Sequence, residues 1–227
     1  MDLVLIAKEN NQPIRQWAYT VIRKNIIDLH LKPGQTVSEA ELAAALNMSR
    51  TPVREAFIRL SEEGIMEIHP QRGSVISLID LDQAQEAHFV RRVLEKAIMG
   101  EACTFFPEAS LIDLHANTEM QRRCNGGKNH HRMLELDNAF HETIYSGCNK
   151  RRTWLQLKKN AYNLDRLRML YLSSNFSWDE LIDEHNQLAR LIVDKNTERV
   201  DELVESHIRK RRYEAIESQI SQYVKKG

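Results

Sequence analysis

Ser49-Arg50-Thr51-Pro52-Val53-Arg54-Glu55-Ala56 is the stretch whose reading decides the fold. Ser49 stands where a helix N-cap belongs, and Pro52 falls in the first helical turn, where a missing N–H does no harm. Val53, Phe57 and Leu60 follow at helical spacing, and Gly64 stops the pattern. Upstream, Ser38-Glu39-Ala40-Glu41 reads as a capping box, with Val37 and Leu42 at the two positions of a hydrophobic staple. Pro13 can open an earlier helix carrying Ile14, Trp17, Ala18, Val21, Ile22, Ile26 and Leu29, which Pro33-Gly34 ends. Downstream, residues 65–68 and 74–78 are β-prone, and His69-Pro70-Gln71-Arg72-Gly73 between them suits a hairpin tip. Three helices and a hairpin predict a winged helix-turn-helix.

Arg50 and Arg54 are one helical turn apart, so they share a face near the helix N-terminus, the end that meets base edges in such folds. An Arg side chain can donate two parallel hydrogen bonds to guanine O6 and N7. Ser49 and Thr51 are placed for phosphates, and Arg72 beside Gly73 suits a wing tip. The competing reading is a solvated helix in which Arg50, Arg54 and Arg59 pair with Glu55, Glu62 and Glu63. Residues 1–79 carry nine basic and nine acidic side chains, which cancel. Bulk charge therefore cannot supply affinity for DNA; locally clustered Arg and dimerisation must.

The 227 residues suit two modest domains, 1–79 and 80–227, and an apolar fraction of 42% is enough for real cores. Net charge is +0, which points to neither a nucleic-acid tail nor a membrane-surface patch. The longest early apolar run, Leu3 to Ala7, is too short for a signal peptide or a span. Cys103, Cys124 and Cys148 are odd in number and lack CxxC spacing, so free thiols in a reducing cytoplasm are expected.

From Asp80 onward the pattern is helical throughout. Helices are predicted near 81–104, 108–123, 129–146, 150–172, 178–194 and 197–222. The first carries an apolar stripe of Val90, Val93, Leu94, Ala97 and Ile98. The fold class is thus mainly α: an N-terminal winged helix-turn-helix followed by an all-α bundle.

Asp137 and His141 stand at i and i+4 on one predicted helix, with side chains about 5–6 Å apart at Cβ. His185 and His207 lie on two others. One carboxylate and three imidazoles form a plausible inward-facing site for a divalent ion. Such a set suits Zn²⁺ and tolerates Ni²⁺, Mn²⁺ or Fe²⁺. Spacing alone leaves open a simple Asp–His hydrogen bond.

At these residues the chain resembles the GntR family of bacterial transcription regulators. The matching string runs from Pro33-Gly34 through Glu41-Leu42-Ala43 and Met48 to Ala56, then Leu60, Gly64 and Pro70-Gln71-Arg72-Gly73. The resemblance implies operator contacts from Arg50, Arg54 and Gly73. Relatives often carry a basic residue where Ala40 stands here. Glu135-Leu136-Asp137-Asn138-Ala139-Phe140-His141, Glu184-His185 and Ser206-His207 are similar to the effector-binding FCD domain of the FadR-type branch, in its six-helix, vanillate-regulator-like group. That resemblance implies a divalent metal held by Asp137, His141, His185 and His207, and a small organic or sugar acid as effector.

Arg91 resembles an effector-pocket Arg; its alternative role is an ion pair with Glu95. Arg168 lies on an apolar stripe where a charge needs a partner. Asn186 adjoins a metal-ligand position. The function expected is a cytoplasmic, homodimeric repressor on a pseudo-palindromic operator, controlled by a carboxylate at the metal, and not an enzyme. Two alternatives stand beside it. One is a metal-dependent hydrolase, although no HExxH occurs. The other is a DNA-binding protein with a purely structural metal.

Overall fold

A computed structural model describes residues 3–69, 73–127, 129–174, 177–208 and 220–225. The chain divides into two compact units, 1–81 together with 220–227, and 82–219.

The first unit contains α1 (Ile14–Ile27), β1 (Thr36–Val37), α2 (Glu39–Ala45), α3 (Arg50–Glu62), β2 (Met66–His69) and β3 (Gly73–Ile76). The capping box predicted at α2 is present. The Ser38 hydroxyl accepts from the Glu41 N–H, and the Glu41 carboxylate accepts from the Ser38 N–H, each at 3.1 Å. Helix α1 lies against α3, and Ala18, Val21, Ile22 and Ile26 join Val53, Phe57 and Leu60 in the buried core. The tight turn before α3 places Asn47 at φ 50°, a left-handed conformation that Asn tolerates.

The strands form an antiparallel sheet in the order β1-β3-β2, so the wing has one strand more than the hairpin expected from sequence. A two-residue strand carries too little alternation to be seen in a pattern. Gly73 adopts φ +89°, where a side chain would be strained, and a Cβ there would also press on Thr36 at 3.4 Å.

The second unit contains most of α4 (Leu81–Thr104), then α5 (Glu108–Gly126), α6 (His130–Gly147), α7 (Arg151–Asn160), α8 (Tyr162–Ser173), α9 (Asp179–Val193) and α10 (Val200–His207). Its core gathers Ile98, Met99, Leu114, Phe140, Ile144, Trp154, Leu188, Ile192 and Val204 among others. Three expectations need correction. The single helix predicted over 150–172 is two helices, broken at Ala161, with α8 burying every residue from Asn163 to Met169. The helix predicted over 197–222 is observed as Val200–His207; residues 209–219 lie outside the described residues, and 220–225 belong with the first unit.

The third correction concerns the inward stripe of α4. It is Ala84, Ala87, Arg91, Glu95, Ile98 and Ala102, while Val90 and Val93 are 45% and 50% exposed. Counting apolar residues misplaced this face because a buried Arg–Glu pair occupies two of its positions.

Candidate recognition helix and metal centre

On α3 the apolar side, Pro52, Val53, Ala56, Phe57 and Leu60, is buried, and Ser49, Arg50, Thr51 and Arg54 are exposed on the other side. Ser49 has the extended backbone of an N-cap, but its hydroxyl makes no capping hydrogen bond. Pro52 occupies the third helical position and has no N–H, so one of the two donors such a cap can use is missing. The first helical N–H groups, the Ser49 hydroxyl and the Thr51 hydroxyl thus lie together at a positive helix end, a ready anion site.

Among the described residues neither Arg50 nor Arg54 forms an ion pair, so the solvated-pair reading does not hold for them. Arg59 does have internal work. Its guanidinium lies 3.8 Å from the Tyr19 ring centroid and donates to Gln16 at 2.8 Å. Glu63 is taken by Tyr19 at 2.6 Å and Arg23 at 3.2 Å. Gly73 opens β3 at the wing, and Arg72 lies outside the described residues.

In the helical unit His141 on α6, His185 on α9 and His207 on α10 converge, each offering a nitrogen within 4.8 Å of the others. All three are buried. Asp137, one turn before His141, is buried beside them with Oδ1 3.5 Å from His185 Nε2. Its other oxygen is bound by Arg168.

The outer partners settle which nitrogen of each ring is bare. His141 Nδ1 faces Glu95 Oε2 at 2.9 Å, and His207 Nδ1 faces Glu184 Oε2 at 2.9 Å. A carboxylate accepts only, so each Nδ1 carries the proton. His185 Nδ1 faces Gln121 Oε1 at 2.7 Å. The orientation of that amide follows from a chain: the Leu136 carbonyl accepts from Asn117 Nδ2 at 3.0 Å, and Asn117 Oδ1 accepts from Gln121 Nε2 at 2.7 Å. Gln121 therefore presents oxygen, and His185 too is protonated at Nδ1.

Three lone pairs consequently point inward. His141 Nε2 and His207 Nε2 stand 3.2 Å apart, and His185 Nε2 has no hydrogen-bond partner. Burial drives the His141 and His185 pKa values below the ordinary histidine range, His185 far below, with His207 and His141 adding to the effect there. Inner imidazole nitrogens converging beside a carboxylate are the donor set a divalent cation needs. The residues present fit a divalent ion.

Glu95 also accepts from Arg91 Nε at 2.7 Å. Burial would raise its pKa, but Arg91 and His141 outweigh that and hold it well below the usual carboxylate range. The expected Arg91 cation is thus engaged by Glu95. Arg168 binds Asp137 and also donates to Asn138 Oδ1 and Asp165 Oδ1, each at 2.8 Å. The partner its buried charge required is therefore three acceptors at the rim of the histidine cluster. Asn186 is half-buried and donates to the Ile182 carbonyl at 2.8 Å.

Sequence reasoning missed Glu95, Gln121 and Glu184 as supports. Glu184 adjoins His185, but Gln121 is brought in from α5 by packing alone. The three cysteines are free, Cys103 and Cys148 buried.

A winged helix-turn-helix with two exposed arginines on its third helix, followed by a helical unit with a buried histidine cluster, is the architecture of a transcription regulator. The profile for bacterial regulatory proteins of the gntR family matches residues 15–76, and that for the FCD domain matches residues 86–210. The chain belongs to the GntR family and carries an FCD domain.

The HTH-type transcriptional repressor RspR of Escherichia coli K12 is 28% identical over 197 residues, covering 87% of this chain and 86% of the relative. The gluconate operon transcriptional repressor of Bacillus licheniformis is 26% identical, covering 77% and 74%. E. coli McbR/YncC shares the fold, with a TM-score of 0.78 at 18% identity over 92% of this chain and 99% of that one. No described helix is long and apolar enough to cross a membrane.

Proposed function

We propose that this regulator is a cytoplasmic repressor that binds a pseudo-palindromic operator as a homodimer and is controlled by a small carboxylate at a divalent metal in the helical unit. The observation that carries it is the set of three imidazole nitrogens converging beside Asp137 and Arg168.

In this reading Arg50 and Arg54 read bases, while Ser49, Thr51, Arg72 and the Gly73 backbone hold phosphates. Asp137, His141, His185 and His207 hold the ion, and Zn²⁺ suits three imidazoles and a carboxylate best, with Ni²⁺, Mn²⁺ or Fe²⁺ also fitting. The ion, when bound, supplies a Lewis-acid position to which a carboxylate can add. In this reading Arg168 exchanges one of its present acceptors for the other end of that anion, with Asn186 nearby in sequence. Arg91 acts on the site through Glu95. An organic or sugar acid is the chemical class this arrangement favours, and a relative named for a gluconate operon is in keeping with it.

Binding to duplex DNA selected from a random pool tests the whole reading. Enriched half-sites with two-fold symmetry are expected, and a panel of sugar acids, hydroxy acids and dicarboxylates should include one that raises the melting temperature of the zinc-loaded protein and releases that DNA. A pool with no enriched sequence removes the operator reading. An enriched operator with no responsive acid leaves the ion purely structural.

Glu95→Gln is expected to weaken Zn²⁺ binding by about 10–100-fold, the usual effect of losing an outer-shell partner. An amide cannot accept from both Arg91 and His141, so its NH₂ must face one donor and His141 is freed to turn its proton inward. Competition with a chromophoric chelator measures this, and an unchanged affinity contradicts the tautomer argument.

The dimer has a candidate seat on α4, where Phe89, Val90 and Val93 are exposed on one side of a helix otherwise packed into the unit. In a two-fold interface each substitution counts twice. Val93→Glu should convert the dimer to monomer in sedimentation velocity, and a variant that stays dimeric moves the interface elsewhere.

A further inference from the structure

On the outer side of α3, Ile58 stands among charged and polar neighbours and is 44% exposed. The helix does not need it for packing, because Val53, Ala56, Phe57 and Leu60 already form its buried side. At 3.6 residues per turn Ile58 lies almost opposite the centre of that side, about 80° round from Arg50 and about 40° from Arg54. Arg50, Arg54 and Ile58 are spaced i, i+4 and i+8, so they form one gently turning row. Each step along the row rises about 6 Å, close to two base-pair steps of about 3.4 Å. A β-branched side chain is stiff at χ1, so Ile58 holds a defined methyl surface toward whatever the row faces. Neither the DNA contacts assigned above nor the core of this unit uses it.

We propose that Ile58 reads a thymine, packing on its C5-methyl group about two base pairs beyond the base under Arg54. The major groove presents donors and acceptors on every base pair but a single kind of apolar group, the thymine methyl. An aliphatic side chain with nothing to donate or accept can select only that. Helices that enter the major groove use residues spread over about two turns, which is the span from Arg50 to Ile58. The two acids of this side, Glu55 and Glu62, lie further round the helix than Ile58. Phosphates repel them, so the duplex is held against the Arg50–Arg54–Ile58 row and away from that edge. Ile58 also borders a shallow groove with Arg15, Glu55 and Glu62. A protein seated in that groove is the competing occupant; the row shared with two arginines favours DNA. This role rests on the operator reading above, and it adds a thymine to the guanines there.

The test uses the full-length chain and the duplex enriched from the random pool, remade with deoxyuridine in place of each thymine in turn. Deoxyuridine pairs as thymine does and lacks only the methyl group. With the unaltered protein, one thymine position in each half-site should be sensitive. Affinity should fall about 4-fold for one methyl lost and about 15-fold when both half-sites are changed. Ile58→Ala should bind the thymine operator at least that much more weakly and be indifferent to deoxyuridine at that position. Ile58→Val should keep the sensitivity. Both variants should melt close to the unaltered chain, since the side chain is exposed. If Ile58→Ala and the unaltered protein respond alike to the loss of every methyl, the thymine contact is overturned, as it is by an operator in which no methyl matters. If Ile58→Ala binds a single half-site normally and fails only where two copies must bind together, Ile58 faces protein and the contact is likewise overturned. A pool that enriches no sequence is a failure of the operator reading itself, and the thymine contact falls with it.

Discussion

His185→Leu is expected to reduce Zn²⁺ affinity by more than the roughly 100-fold upper range of outer-shell changes, because it removes a ligand and not a support. It should do so while leaving the metal-free fold close to its original stability. Two opposing effects decide the second half. Gln121 Oε1 loses its donor, and an unsatisfied buried acceptor costs about 1–3 kcal/mol. In return the partnerless His185 Nε2 disappears, together with the repulsion between its lone pair and Asp137 Oδ1 at 3.5 Å. Leu keeps an apolar contact where the His185 ring stacks on Phe140 at 4.4 Å between centroids. Chelator competition reads the first effect, and thermal unfolding in EDTA reads the second. Retained tight binding removes His185 from the ligand set. A large loss of stability in EDTA makes the cluster a structural polar network instead of a site awaiting a cation.

The same contrast shows what was legible in the sequence. The capping box at Ser38, the turn at Asn47 and the buried side of α3 depend on neighbours within a few residues, and pattern rules see that far. Asp137 and His141 were visible for the same reason. The inner face of α4 was not, because periodicity scores Arg91 and Glu95 as outward although each is the other's buried partner. Ala161 breaks a helix with no Gly or Pro to mark it. Gln121 reaches His185 only through the packing of α5 and the Asn117 chain. Ser49 shows the reverse case: its place at a helix start was readable, and so was Pro52, yet the lack of a capping bond from the Ser49 hydroxyl was not. What sequence leaves out is mostly pairing between distant segments, and the orientations of the histidine rings depend on that pairing.

Arg54→Ala should abolish selective operator binding and leave folding intact. Each Arg–guanine pair supplies about 1–3 kcal/mol of discrimination, and a two-fold dimer loses it at both half-sites, so about 30-fold to 10⁴-fold in specific affinity is at stake. The fold has little reason to change, since Arg54 is exposed, has no ion pair among the described residues, and gives way to a better helix former. Binding to unrelated DNA should fall far less, with a shallower salt dependence only if the same side chain also touches phosphate. Arg59→Ala is the internal control and should behave oppositely. Its guanidinium is spent on Tyr19 and Gln16, so melting temperature should drop while selectivity for the operator persists. Because acidic and basic side chains cancel across residues 1–79, the background affinity is weak, and losing one base-reading contact is not masked by bulk attraction. Electrophoretic mobility shifts against an operator and a scrambled duplex, at two salt concentrations, separate these terms. Equal losses on both duplexes assign Arg54 to phosphate, and no loss on either shows that α3 does not present this face to the groove.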